Sequence, residues 1–118
     1  MSDRRQRLGR AGEELVAAHL AAAGQTVMLR NWRCPAGEVD IVARDGDTLV
    51  LVEVRTRRSR RFGTPEESIT PAKRARLLAC GQYLAAELAW DGPWRIDMAA
   101  VEPGMPDTIR LIRNAVEA

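Results

Sequence analysis

Residues 37–56 constrain the fold most tightly. Two runs rich in aliphatic and β-branched residues, 38–44 and 48–56, flank the short segment Asp45-Gly46-Asp47. Asp-Gly between two such runs is a strong hairpin signal, so the runs are expected as antiparallel neighbours. Leu49 to Val54 is almost unbroken in aliphatic residues, as in a central strand covered on both faces. A chain with such a strand needs material above and below a sheet.

The rest of the sequence supplies it. Leu8, Gly12, Leu15, Val16, His19, Leu20 and Ala23 recur at steps of three and four, which predicts a helix over about 5–23 that stops at Gly24. Gly9 and Gly12 each cost about 1 kcal/mol in a helix relative to alanine, which suggests that something approaches the backbone closely there. A strand over 26–32 precedes the turn residues Pro35-Ala36-Gly37. Thr70-Pro71 has the form of an N-cap and first helical residue, opening a second helix to about residue 89. Strands over 94–101 and 108–112 complete the order αβββαββ. A helix between the third and fourth strands permits a parallel crossover, so the fold class is α/β, a mixed sheet flanked by helices.

Composition narrows the function. With 118 residues and 13.1 kDa, one domain over 1–118 is expected, burying roughly two-thirds of its unfolded surface. Hydrophobic residues at 46% and charged residues at 29% are those of a globular chain. Cys34 and Cys80 lie far apart in sequence and no secretory h-region opens the chain, which predicts a cytoplasmic protein with reduced, buried, structural cysteines. No apolar run has membrane-spanning length. The single histidine, His19, excludes sites built from several imidazoles and is expected to pack in the core.

Charge is uneven. Residues 1–61 carry 12 basic and 8 acidic side chains, the remainder 6 and 8. All the basic residues but Lys73 are arginines, whose planar fork matches phosphate. Arg55, Arg57, Arg58, Arg60 and Arg61 crowd into seven positions, and an exposed basic loop is expected over about 56–63. Arg4, Arg5, Arg7 and Arg10 form a second group, and Lys73, Arg74 and Arg76 open the second helix. Such groups track a phosphate backbone without reading bases, although a solvated charge run has the same composition. Aromatic residues, at 4%, are too few for a base-stacking platform.

Asp40 sits in a strand beside apolar Ile41 and Val42, and Glu53 sits between Val52 and Val54. A buried carboxylate is costly unless something compensates it. A two-residue turn at Asp45-Gly46 pairs Asp40 with Leu51 and makes Glu53 a same-face diagonal neighbour about 7–8 Å away. A turn one residue longer puts the two carboxylates on opposite faces. Converging carboxylates raise each other's pKa unless a cation neutralises them, and Mg²⁺ binds through one or two carboxylates plus waters. Arg55, two residues after Glu53, shares its face. Taken alone, these residues fit either a metal site or a buried ion-pair network with no ligand.

Gly37-Glu38-Val39-Asp40 followed by Val52-Glu53-Val54-Arg55 resembles the D…(D/E)-x-K core of restriction-endonuclease-like nucleases. More narrowly, the chain is similar to the bacterial YraN-like family of predicted endonucleases, related to archaeal Holliday-junction resolvases. The shared pieces are Gly9-x-x-Gly12-Glu13, Asn31-Trp32-Arg33, GEVDIV, LVLVEVRTR, Phe62-Gly63 with Lys73, and Arg95-Ile96-Asp97. The resemblance implies a restriction-endonuclease-like fold and a Mg²⁺- or Mn²⁺-dependent endonuclease acting on DNA, with branched DNA as one substrate class. It implies Asp40, Glu53 and the Val54 carbonyl as metal ligands, with Glu13 completing the acidic cluster and Arg55 acting beside it. Arg10, Arg57, Arg58, Arg60, Arg61 and Lys73 are then the nucleic-acid contacts, and a homodimer follows by analogy. The chain departs from the motif at Arg55, where the nucleases carry lysine. Arginine keeps its proton at working pH, so Arg55 orients water or offsets developing charge and is no general base. A non-catalytic nucleic-acid-binding module on the same fold is the alternative.

Overall fold

The computed structural model describes residues 3–57, 69–105 and 107–116, with backbone alone for 3–8. Helix α1 (Asp3–Ala22) is followed by strands β1 (Thr26–Cys34), β2 (Gly37–Asp45) and β3 (Thr48–Thr56). Helix α2 (Pro71–Glu87) leads to β4 (Trp94–Glu102) and β5 (Thr108–Val116). The strands form one sheet in the order β1-β2-β3-β4-β5. Only β3 and β4 run parallel, and α2 is the crossover between them. The element order and the mixed sheet agree with the sequence pattern.

Strand β3 is unbroken in aliphatic residues from Leu49 to Val52 because both its faces are covered. Val50, Val52 and Val54 pack with Ile41, Ala43 and Ala99 under Val16 and Leu20 of α1. Leu49 and Leu51 pack with Val39, Val42 and Ile96 under Leu77, Cys80 and Leu84 of α2. Each fully buried aliphatic side chain contributes about 1.5–3 kcal/mol, so β3 anchors both layers. The α2 start is capped as expected: Thr70 Oγ1 accepts the Lys73 N–H at 3.1 Å, with Pro71 in the first turn.

Several expectations need correction. His19 and Leu15 are exposed. The buried line on α1 is the narrower Gly12, Val16, Leu20, one residue per turn, because the helix touches the sheet along a single ridge. Cys34 is half-buried, not buried like Cys80. The two outer strands run longer than expected, β1 to Cys34, which pairs with Gly37, and β5 to Val116, which pairs with Ile96 beyond an irregularity in the register. β3 ends at Thr56 as expected, but the chain stays tied to the sheet one residue further, where the Arg57 N–H donates to the Val101 carbonyl at 2.9 Å. The rest of that loop, with Arg58, Arg60 and Arg61, lies outside the described residues.

The hairpin register also differs. Asp45 pairs with Thr48 and Ile41 with Val52, so the two-residue turn is Gly46-Asp47 and not Asp45-Gly46. Gly46 has φ +64°, at the first turn position, where type II′ favours glycine. The shift is two residues, so the paired residues of 41–45 and 48–52 keep their expected faces. Among the described residues no helix is long and apolar enough to cross a membrane.

Candidate functional site

Strands β2 and β3 part company at Asp40. Val39 and Val42 pack toward α2 whereas Ile41 and Ala43 pack toward α1, so the strict alternation of β2 breaks between residues 39 and 41. The last paired residues are Ile41 and Val52, so the ladder ends one step before Asp40 and Glu53, and the expected pairing of Asp40 with Leu51 is not formed. In place of a backbone acceptor, Asp40 Oδ2 takes the Val54 N–H at 2.8 Å. The carboxylate wedges the mouth of the hairpin open.

Glu53 is 5% exposed and lies on the α2 side of β3. Arg55 Nη2 donates to its Oε2 at 3.0 Å, as the two-residue spacing requires. A second guanidinium reaches the same oxygen from α2, with Arg76 Nη2 at 3.6 Å. The Arg76 stem lies over Gly37, where an added Cβ would meet Arg76 Cδ at 2.8 Å. Arg76 was placed by sequence only on the basic opening of α2. Its signal was its position next to Leu77 and one turn before Cys80, on the helix face that meets the sheet.

Burial, the neighbouring Glu53 charge and a side-chain hydrogen bond with Glu53 push the Asp40 carboxyl up to about 7, against the Val54 N–H, which favours the ionised form. The two carboxyl groups are therefore close enough for Glu53 to act on the Asp40 proton. Glu13 stands further off. Its carboxylate is hydrogen-bonded to Asn31, with Arg30 Nη2 at 3.9 Å, and burial raises its pKa. It still acts on Asp40 through its charge. Gly12, the residue before it, lets α1 sit against the end of β3, because a Cβ there would collide with Thr56 Oγ1. Gly9 has open space at the same point, so of the two helix glycines only Gly12 answers to close packing.

The mouth opens into a cleft of about 500 Å³ lined by Glu13, Asp40, Val54, Arg55, Thr56 and Arg57. A second cleft, about 530 Å³, runs from Glu13 past Arg10, Asn31, Arg33 and Glu38. Arg57 thus lines the cleft that holds Asp40, whereas Arg10 lines the neighbouring one, which shares Glu13 with it. Lys73 is half-buried in the first turn of α2, on the same helix face as Arg76 and Leu77.

Among the described residues no group of three or more His, Cys, Asp or Glu side chains is gathered to hold a metal ion. The donor set is smaller: two neighbouring carboxylates, with the Val54 carbonyl leaving the strand on the same side as the N–H that serves Asp40. That set suits a hard cation that keeps several waters, and a divalent charge would relieve the repulsion that raises Asp40. The Nε groups of Arg55 and Arg76 are buried without a protein partner, so donors suited to an anionic oxygen remain.

A second buried acid, Asp97, lies apart. Arg95 Nε donates to its two oxygens at 3.0 and 3.2 Å, and the Asn114 N–H to Oδ1 at 2.9 Å. Arg95 Nη2 reaches Asp45 at 3.0 Å. The Arg95-Ile96-Asp97 motif therefore belongs to a closed ion network on β4. Trp32, Trp90 and Trp94 pack along the edge of the α2-side core.

Residues 12–101 match the model of an uncharacterised protein family, UPF0102. A UPF0102 protein of Roseiflexus castenholzii is 54% identical over 89% of this chain and 86% of its own length. One from Symbiobacterium thermophilum is 46% identical over 96% of the chain and 98% of its own length. A third, from Dehalococcoides mccartyi, is 40% identical over 98% of both.

Proposed function

The chain belongs to the uncharacterised family UPF0102, and we propose that its members of this form are metal-dependent nucleases that hydrolyse phosphodiester bonds in DNA. One observation carries the reading: Asp40, on a cleft lined also by Glu13, Arg55 and Arg57, lies close enough to buried Glu53 for that carboxylate to raise its pKa, and Arg55 joins Glu53 to the cleft. The likeness of GEVDIV and LVLVEVRTR to the restriction-endonuclease-like core, and to the YraN-like proteins related to junction resolvases, supports the same chemistry.

In this reading Asp40, Glu53 and the Val54 carbonyl hold Mg²⁺ or Mn²⁺, which supplies Lewis acidity and a more acidic water. Arg55 and Arg76 hold the Glu53 side chain oriented, and their spare Nε donors would offset charge that builds on the phosphate. Glu13, reaching Asp40 only by its field, holds the α1 wall of the cleft in register with it. Arg10, Arg57 and Lys73, with Arg58, Arg60 and Arg61, position the backbone of the nucleic acid. The protein works in the cytoplasm, and by analogy with junction resolvases as a homodimer. Light scattering that returns the monomer mass at high concentration refutes the dimer.

The decisive assay incubates single-stranded, duplex, flap and four-way DNA with Mn²⁺. Cleavage is expected, and Asp40→Asn and Glu53→Gln should each abolish it with the fold retained. A second reading, a binding module without turnover, is favoured by the two guanidinium groups that already occupy Glu53 Oε2 and by arginine in the lysine position. It predicts salt-sensitive DNA affinity that survives both substitutions, and no cutting.

A further inference from the structure

We propose that Cys34 and Cys80 are a redox-active dithiol that closes to a disulfide joining β1 to α2. They are the chain's only cysteines and lie 46 positions apart, yet their sulfur atoms are 3.6 Å from one another, and both are free thiols. A disulfide brings sulfurs to about 2.05 Å, so closure asks for roughly 1.5 Å of approach, shared between two side chains. At 3.6 Å the two sulfur atoms are in direct contact, with no room for another atom between them.

The two thiols are unequal. Cys34 is the last residue of β1, half-buried and within reach of a small oxidant. Cys80 is fully buried in the α2-side core beside Leu77 and Leu84, and the thiol it can meet is that of Cys34. The chemistry with a low-molecular-weight disulfide follows from that order. The Cys34 thiolate attacks one sulfur of the oxidant, forming a mixed disulfide and releasing one thiol. Burial and the Cys34 thiol push the Cys80 thiol up to about 12 in the reduced protein, so it passes its proton to the departing thiolate as its sulfur attacks that of Cys34, closing the internal bridge and releasing the second thiol. Two protein thiols are oxidised, one disulfide is reduced to two thiols, and no other reactant is needed.

The bridge would staple a sensitive place. Cys34 pairs with Gly37, the residue on which the Arg76 stem rests, and Cys80 lies one turn beyond Arg76 on α2. Closure fixes the helix that carries Arg76 to the turn beneath it. This inference stands whether or not the protein cleaves DNA.

The test incubates the folded protein with excess oxidised glutathione, then reads intact mass, thiol count in denaturant and a non-reducing gel. The expected product is a monomer lighter by two hydrogens, with no free thiol and a Tm raised by about 5 °C or more, reversed by reductant. Cys80→Ala should instead retain one glutathione on Cys34, and Cys34→Ser should leave Cys80 unmodified. Thiols that persist in the wild-type protein, mixed disulfides on both cysteines, or a disulfide-linked dimer would each overturn the proposal. The wild-type measurement decides the matter even if a variant fails to fold.

Discussion

The sheet buries acid in two places and treats it in opposite ways. Around Asp97 the account is closed: a 1% exposed carboxylate takes three donor contacts from Arg95 and the Asn114 N–H, and Arg95 is shared with Asp45. Around Asp40 it is open: two carboxyl groups face each other, one of them pushed up to about 7, beside guanidinium groups with unpartnered Nε atoms. Both faces of a sheet can hold an acid against the cost of burial. Only the open arrangement retains unspent charge and unspent donors, and that is what a ligand can use.

The comparison breaks most sharply under substitution. Asp97→Ala leaves Arg95 and the Asn114 N–H without their partner, and should cost about 3–5 kcal/mol in urea denaturation. A loss below about 1 kcal/mol would show that the closed network carries no such weight. Gly12→Ala drives a methyl group into Thr56, where α1 seats against β3, and should cost about 1–3 kcal/mol. Gly9→Ala meets open space and should be neutral or stabilising by up to about 1 kcal/mol. Equal effects at the two glycines would contradict the close seating of α1 on one of them.

Smaller effects test the open pair through pH. With a folded-state value near 7 against an ordinary aspartate value, the metal-free folded state holds a proton that the unfolded chain has released. Asp40 should therefore lower stability as pH rises from about 4 to 7, with the loss complete above that window. Thermal unfolding across this range should show the decline in the wild type and a flatter profile in Asp40→Asn. In Glu53→Gln, the Asp40 titration followed by NMR should move down, because a raising charge is gone while Arg55 and Arg76 remain. An unmoved titration would assign the whole shift to burial.

Much of this architecture is legible in residue order. The Asp-Gly turn, the aliphatic run of β3 and the Thr70-Pro71 cap mark the hairpin, the central strand and the second helix, because each is a local preference that the tertiary structure reinforces. Asp40, Glu53 and Arg55 were visible as charges among aliphatic neighbours. Three features were hidden. The turn slid by one position because Gly46 serves as well at the first turn position as at the second, and only the pairing beyond it decides. Arg76 depends on how α2 crosses the sheet, a long-range fact. The extension of β5 through Asn114, at φ +53°, depends on a buried acid one strand away taking its N–H.

The central claim is that Asp40 and Glu53 share one divalent cation. Isothermal titration of Mn²⁺ into the wild-type protein, Asp40→Asn, Glu53→Gln and Asp45→Asn tests it directly. The account predicts one site per chain in the wild type and in Asp45→Asn, and loss of that site in both Asp40→Asn and Glu53→Gln. Binding that survives in either of the last two, or no binding in the wild type, would contradict it.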